Sequence, residues 1–189
     1  MKLLRIIIAW FLAIIAILAA GSYLLPKTYP VERSIIILSD KAIVYKYISH
    51  LQLWTEWISW KPESDKSLKD TFVGFDGESG SAYLWDGKTK GKGKLVLDRL
   101  VADKYIHYQL SLNDGAFKSE GEILIYSQGQ GSTKVKWTDK NELGYNPITR
   151  YTRLFFKKKL TPDLENSLKK LKKLCETAYE KNSNHSGKS

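Results

Sequence analysis

Residues 162–178 read PDLENSLKKLKKLCETA, and this amphipathic stretch determines how the rest of the chain must fold. Its apolar residues recur at spacings of four, three, four and three, which is the period of a helix with one buried face. They are Leu164, Leu168, Leu171, Cys175 and Ala178. Pro162 suits the first turn of such a helix, where no hydrogen-bonding N–H is needed. We therefore predict a long amphipathic helix near the carboxyl end.

Short runs with strand character precede this helix and are separated by turn residues. We predict strands over residues 71–75, 81–86, 92–100, 105–112, 117–126 and 133–138. The separators contain Gly, Asn and Asp, which suit turns because Gly adopts positive φ and the other two hydrogen-bond their own backbone. Turns spaced about ten residues apart predict an antiparallel meander.

The chain before the meander predicts one more strand and two short helices. Residues 31–38 are rich in β-branched side chains. Ser39 and Asp40 then supply a helix cap, and the helices are predicted over residues 41–50 and 51–60. The long helix can bury its apolar stripe only against the concave face of the sheet. The order therefore predicts an α+β fold in which the long helix lies across the sheet, with an elongated space between sheet and helix.

The amino-terminal segment is apolar enough to cross a membrane. Residues 6–25 carry no charge, and 20 helical residues span about 30 Å, the thickness of a bilayer's hydrocarbon core. We predict one transmembrane helix whose apolar run begins at Ile6 and ends at Leu25, with Trp10 toward an interface. A cleavable signal peptide is the alternative, because Ala-Ala-Gly at residues 19–21 suits a signal peptidase. The apolar run continues past that point, which favours an uncleaved anchor.

These features divide the chain into four parts. They are a membrane anchor over residues 1–26, a linker over 27–30, a folded domain over 31–182 and a disordered tail over 183–189. Lys2 and Arg5 favour a cytoplasmic amino terminus, which places the domain on the periplasmic or extracytoplasmic side. Positive charge flanks both ends of the apolar run, so the charge count alone does not settle this orientation.

Four local motifs occur in an order typical of one known superfamily. They are LPKTYPVERS at 25–34, WTEWISW at 54–60, KGKG at 90–93 and STKVKW at 132–137. In the order and spacing of these motifs, the chain resembles the SRPBCC superfamily, also called START-like or Bet v 1-like. The resemblance covers about residues 1–180. More narrowly, it is similar to the membrane-anchored polyketide cyclase/dehydrase-like branch. Lys92 stands where that branch usually has an acid, and Ser132 stands where it has Gly.

The resemblance implies a helix-grip fold with a pocket, and it does not imply a particular reaction. The superfamily includes lipid carriers, cyclases and oxygenase domains. A hydrophobic small molecule or a lipid is therefore the expected ligand. A cyclase or dehydrase enzyme and a non-catalytic envelope or partner-binding module are the alternatives.

Aromatic residues are the candidates for lining the pocket, because ligand sites are mostly apolar with a few polar groups. The candidates are Trp57, Trp60, Tyr83, Trp85, Tyr108 and Trp137. The alternative for all six is ordinary core packing. Neither their spacing nor their alternation distinguishes the two interpretations.

No catalytic residue, metal site or cofactor is predicted. His107 is the only His within a predicted strand, and the sequence places no partner that would orient it as a general base. It lies on the more polar face of its strand, so we expect it to be exposed. Glu56 and Asp86 are weak acid candidates, and Cys175 is interpreted as structural. One Cys and three His leave little material for a metal centre.

Positive charge is concentrated late in the chain. Residues 150–173 hold nine Lys and Arg against two acids. On a domain tethered to a membrane, Lys157, Lys158 and Lys159 are candidates for contact with anionic headgroups, at about 1 kcal/mol per charge. The alternative is a solvated helix face. Nucleic-acid binding is not expected, because no recognition motif accompanies the charge.

Overall fold

The computed structural model describes residues 2–59, 67–89, 91–129, 131–142 and 147–186. In chain order the elements are α1 (Lys2–Ser22), β1 (Thr28–Ile37), α2 (Lys41–Ser49), α3 (Leu51–Trp57), β2 (Lys69–Val73), β3 (Ala82–Gly87), β4 (Gly91–Val101), β5 (Tyr105–Leu112), β6 (Phe117–Ser127), β7 (Thr133–Glu142) and α4 (Pro147–Ser186). The predicted helix-grip order is confirmed.

The strands form a seven-stranded antiparallel sheet in the order β1-β7-β6-β5-β4-β3-β2. Strands β2 to β7 are a meander, in which each strand pairs with the next along the chain. Strand β1 then pairs with β7 over residues 28–37. The meander predicted from the turn residues is therefore confirmed, with β1 and β2 as the two edges.

One face of the sheet is covered, and α4 lies along it. Alternate residues of β7, beginning at Thr133 and ending at Asn141, are all buried. On α4 the predicted stripe supplies four buried residues, which are Leu164, Leu168, Leu171 and Cys175. Each such apolar side chain contributes about 1.5–3 kcal/mol relative to an exposed position. We call this covered side the inner face.

Two sets of contacts give the direction of α4. The Arg150 guanidinium donates to the Ser22 carbonyl, six residues before β1 begins with Thr28. Farther along α4, the Lys172 ammonium donates to the Ile36 carbonyl, near the end of β1. The helix therefore runs from the end of the sheet where β1 begins, which we call the α1 end, to the opposite end.

Some boundaries differ from the sequence predictions for identifiable reasons. The long helix begins at Pro147 and includes Pro162, because one proline removes a single intrahelical hydrogen bond and need not end a long helix. It continues to Ser186, so residues 183–186 of the expected tail are helical. Strand β7 runs to Glu142, beyond the predicted 133–138, because pairing with β1 and β6 holds a polar segment extended.

Within the described part of the chain, α1 is the one helix long and apolar enough to cross a membrane. Its mean hydropathy is 2.7, and none of the apolar stretch is buried against the domain. Ile6 and Trp10 are exposed on it, Trp10 at 68%. The helix ends at Ser22, so Leu25 lies in the turn that leads to β1.

Candidate functional site

A buried polar cluster lies on the inner face and is centred on Asp139 of β7. The Tyr108 hydroxyl donates to Asp139 Oδ2 at 2.5 Å, and the Ser119 hydroxyl donates to Oδ1. The Trp137 indole N–H in turn donates to the Tyr108 hydroxyl at 3.0 Å. Two neighbouring strands, β5 and β6, thus donate hydrogen bonds to one carboxyl on β7.

A glycine permits this arrangement. The register places Tyr108 of β5, Gly121 of β6 and Asp139 of β7 side by side across the sheet. A Cβ atom on Gly121 would lie 1.9 Å from the Tyr108 ring. Because Gly121 has no side chain, the Tyr108 ring crosses over β6 and reaches Asp139. A glycine inside a strand often marks such a close approach, and this was the available sequence signal.

Burial governs the electrostatics of the cluster. Burial raises the pKa of Asp139, although hydrogen bonds from Ser119 and Tyr108 oppose the rise. Burial, reinforced by the charge of Asp139, raises the pKa of Tyr108 well above its ordinary value. Asp139 therefore holds its proton more readily than an exposed aspartate does, and Tyr108 stays neutral. The cluster therefore presents buried hydrogen-bond donors and acceptors around one carboxyl.

Tyr29 adds a buried hydroxyl beside this cluster. It lies on β1, paired with Asn141 of β7, and is only 6% exposed. Burial, followed by the charge of Asp139, raises the Tyr29 pKa to about 12. Among the described residues, no group hydrogen-bonds its hydroxyl. An unsatisfied buried polar group costs about 1–3 kcal/mol, so this hydroxyl is a site where a polar atom of a ligand would be stabilising.

The register places six inner-face residues in one row near the α1 end. From β3 to β1 they are Tyr83, Leu95, Leu110, Ser119, Asn141 and Tyr29. The half of the row from Tyr83 to Leu110 is largely apolar, and the half from Ser119 to Tyr29 is polar. The row therefore has the character of a site for an amphiphile, apolar at one end and hydrogen-bonding at the other.

Three of the six candidate pocket residues pack against one another in the middle of the inner face. They are Trp57, Tyr108 and Trp137, and Trp54 joins them. The ring centroids of Trp54 and Trp57 are 5.0 Å apart, and those of Trp57 and Trp137 are 5.5 Å apart. Such tilted and edge-on pairs stabilise a core beyond their burial. Their contact with a ligand stays a prediction.

Two further candidates, Tyr83 and Trp85, form a second aromatic group on β3. Their rings stack with centroids 5.1 Å apart, and Phe72 of β2 stacks on Tyr83 at 4.8 Å. The Tyr83 hydroxyl donates to Asp70 at 3.2 Å. Burial and the charge of Asp70 raise the Tyr83 pKa to about 12.

The remaining candidates are described only in part. Trp60 lies outside the described residues, as do the side chains of Lys157 and Lys159. Lys158 is exposed on α4. Within the described ranges, no three His, Cys, Asp or Glu side chains gather closely enough to hold a metal ion.

The expectation that His107 is exposed and without a partner is wrong. It is 8% exposed, and its Nδ1 lies 2.5 Å from Asp98 Oδ1 on the outer face of the sheet. The strand register shifts between Leu97 and Arg99, and this bulge displaces Asp98 from regular alternation. Burial alone would raise the Asp98 pKa, but the hydrogen bonds and charge of its neighbours, His107 first, lower it below its ordinary value.

Residues 30–176 match the family described as "Polyketide cyclase / dehydrase and lipid transport". No curated protein matches the sequence.

Several solved structures share the fold. Truncated norcoclaurine synthase from Thalictrum flavum aligns with a TM-score of 0.59 at 14% identity, over 78% of this chain and 92% of that one. The Aha1 dimer from Colwellia psychrerythraea gives 0.52 at 15% identity, over 78% and 96%. Protein CV1439 from Chromobacterium violaceum gives 0.51 at 16% identity, over 80% and 98%. At these identities the likeness extends to the fold alone.

Proposed function

Since the chain belongs to the polyketide cyclase / dehydrase and lipid transport family, we propose that it binds a hydrophobic small molecule or lipid. The ligand would lie between the inner face and the first half of α4. One observation carries the proposal: the row from Tyr83 to Tyr29 passes from apolar residues to a buried polar cluster. Small-molecule sites combine these two features.

The two ends of the row have different roles in this proposal. Each methylene that leaves water contributes about 0.8 kcal/mol, so the ligand's apolar part supplies most of the affinity. Tyr83, Trp85, Leu95 and Leu110 would receive it. The Tyr29 hydroxyl and the Asp139 carboxyl would orient the head. Because burial raises the Asp139 pKa, an uncharged head suits this end better than a carboxylate.

The six aromatic candidates keep this role as part of the proposal. Trp57 and Trp137 would bound the site from the middle of the inner face, and Tyr108 would present its hydroxyl to the polar end. Trp60 stays a proposed lining residue from the sequence alone. The packed arrangement of Trp57 and Trp137 suits a rigid wall.

We further propose that α1 holds the domain on a membrane as a single-pass anchor. Its length and mean hydropathy of 2.7 support this. The anchor would occupy residues 1–26, and the expected linker over 27–30 is shorter than predicted because the domain's first strand already begins at Thr28. Lys2 and Arg5 at the amino terminus favour a domain on the periplasmic or extracytoplasmic side.

Native mass spectrometry of the full chain in mild detergent tests the binding proposal. We expect a stoichiometric lipid or apolar metabolite, released on denaturation. Exchange of Asn141, Ser119 or Tyr29 for an apolar residue of similar size should reduce the retained fraction. An empty protein that no lipid stabilises against heating would contradict the proposal.

An enzyme of the cyclase or dehydrase type is the second candidate, and Asp139 is the observation that favours it. A buried carboxyl with a raised pKa, held by Tyr108, is the kind of group that serves as a general acid. Asp139→Asn should then abolish turnover of a bound ligand while leaving its retention intact. Loss of retention without any turnover by the unaltered protein would favour binding alone.

A further inference from the structure

The last turn of α1 is bonded to the first turns of α4. Arg150 is 1% exposed, and its guanidinium donates to the Ser22 carbonyl at 2.9 Å. The same guanidinium lies 5.6 Å from the centroid of the Tyr23 ring. A cation at the carboxyl end of a helix is stabilised by the helix dipole. Arg150 therefore fastens α4 to the point where α1 ends.

The next residue makes a second bond to α1. The Tyr151 hydroxyl donates to the Leu18 carbonyl at 2.8 Å, one turn earlier than Ser22. Gly21 leaves room for it, since a Cβ there would lie 3.0 Å from the Tyr151 oxygen. Two bonds to carbonyls four residues apart on α1 restrict the angle between the helices. The two hydrogen bonds thus hold α1 in a restricted orientation relative to the domain.

We call the two hydrogen bonds from Arg150 and Tyr151 to the Ser22 and Leu18 carbonyls the joint. We propose that this joint holds residues 150–159 of α4 against the headgroup layer of a bilayer that contains anionic lipids. The segment contains five Lys and Arg and no acid. If α1 crosses the bilayer, its end at Ser22 lies near the interface, and Arg150 lies there with it. Lys158 is then about 12 Å farther along the helix. Most of the segment therefore lies within one Debye length of the interface, which is about 8–10 Å, and its far end lies just beyond that distance.

The joint also determines which part of the domain faces the lipid. The α1 end of the inner face, with Tyr29 and Asn141, lies on the same side of the domain as Ser22. A ligand could then pass from the bilayer to the inner face over a short path through water. The surface contact requires that α1 be inserted, and it does not depend on whether the inner face holds a ligand.

A fluorescent probe tests the contact in the full chain. The chain carrying Lys158→Cys would be labelled with NBD, since Cys175 is fully buried, and placed in nanodiscs of phosphatidylcholine with or without 30% phosphatidylglycerol. We expect blue-shifted emission and quenching by headgroup-region doxyl lipids in the anionic discs, both reversed by high salt. Bromolipid quenching of Trp10, absent in Trp10→Phe, reports whether α1 is inserted.

Charge-matched variants separate this segment from the rest of α4. Neutralising Arg153, Lys157 and Lys159 with Gln should lower the equilibrium constant for surface contact about a hundredfold, at about fivefold per charge. The same change at Lys169, Lys170 and Lys173, all exposed farther along the helix, should leave it unaltered. Equal effects of the two triple variants would overturn the proposal, as would a probe that stays in water while Trp10 is quenched. If Trp10 is not quenched, α1 is not inserted in the bilayer. That result would contradict both the membrane anchor and the surface contact.

The joint itself has a direct test. Tyr151→Phe keeps the ring and removes the donor to Leu18, and Gly21→Ala crowds the Tyr151 hydroxyl at its bonding position. Both should broaden the distribution of probe depths at position 158 in anionic discs, with the segment's other four charges still present. Tyr126→Phe, on the far side of the sheet, is the control. Unchanged depth distributions in both variants would overturn the role assigned to the joint.

Discussion

Gly121 of β6 lies directly against the ring of Tyr108 on β5, which lets that ring reach the Asp139 carboxyl on β7. The polar cluster of the inner face therefore depends on a residue without a side chain. The dependence can be measured, because Gly121 carries no other function in the cluster.

Gly121→Ala should destabilise the domain by at least about 2 kcal/mol. The added carbon would lie 1.9 Å from the Tyr108 ring, and overpacking of that kind costs about 1–3 kcal/mol. Displacing Tyr108 would also remove a buried hydrogen bond to Asp139, which costs about 1–3 kcal/mol more in the free energy of unfolding. Urea unfolding measures the change.

A double-mutant cycle supplies the control for this prediction. In a Tyr108→Leu background the ring and its hydroxyl are both absent, so Gly121→Ala should be close to neutral. A cost that persists unchanged in that background would mean that the clash lies elsewhere.

Tyr29→Phe should stabilise the ligand-free protein while weakening ligand retention. The Tyr29 hydroxyl is buried, and no described residue hydrogen-bonds it. Removing it should therefore raise the free energy of unfolding by about 1–3 kcal/mol. If the hydroxyl orients the ligand head, the variant should retain less ligand in native mass spectrometry.

The matched change at Tyr126, which is exposed on β6, should alter neither quantity. A destabilised Tyr29→Phe protein would indicate that the hydroxyl is satisfied within the fold. Greater stability with undiminished retention would remove Tyr29 from the site.

The fold was predictable because its signals are local and periodic. The stripe from Leu164 to Cys175 has helical spacing, and the turn residues recur along the meander. The helix-grip order followed from burying that stripe. Tyr108 could likewise be assigned to the apolar face of its strand by alternation alone.

The centre of the site was less accessible to such reasoning. Asp139 and Asn141 lie in the polar run DKNE, which has low strand propensity. They face inward because β1 and β6 pair with β7 on both sides. Extending the alternation of Val135 and Trp137 by two more steps would have found both residues. Asp98 gave no such signal, because it lies at a bulge where alternation fails.

Cys175 should react with thiol reagents only when α4 leaves the sheet. Its side chain is fully buried, and burial, with the nearby charge of Glu176, raises its pKa from 9.0 to about 12. The thiolate fraction near neutral pH is then about a thousandfold below that of an unperturbed thiol. Stopped-flow labelling in native and in denaturing buffer measures this. Fast labelling of the native protein would contradict the packing of α4 described above.

Two aspartates should make opposite contributions to stability as the pH changes. The folded-state pKa of Asp139 is raised, first by burial. The folded protein therefore binds this proton more tightly than the unfolded chain, and the stabilisation is fully present below the unfolded pKa of about 4. It is lost as the pH rises through the folded pKa. The difference in unfolding free energy between the unaltered protein and Asp139→Asn should thus decrease from pH 4 to pH 7.

Asp98 should show the reverse dependence, because its folded-state pKa is lowered despite burial, chiefly by His107. Its stabilisation is present above the unfolded pKa of about 4 and is lost as the pH falls through the folded value. The difference between the unaltered protein and Asp98→Asn should therefore shrink on acidification below pH 4. Urea unfolding of the unaltered protein, Asp139→Asn and Asp98→Asn, measured below pH 4 and from pH 4 to pH 7, gives the pH dependence of both differences. Slopes of the same sign would show that one carboxyl is not in the environment assigned to it.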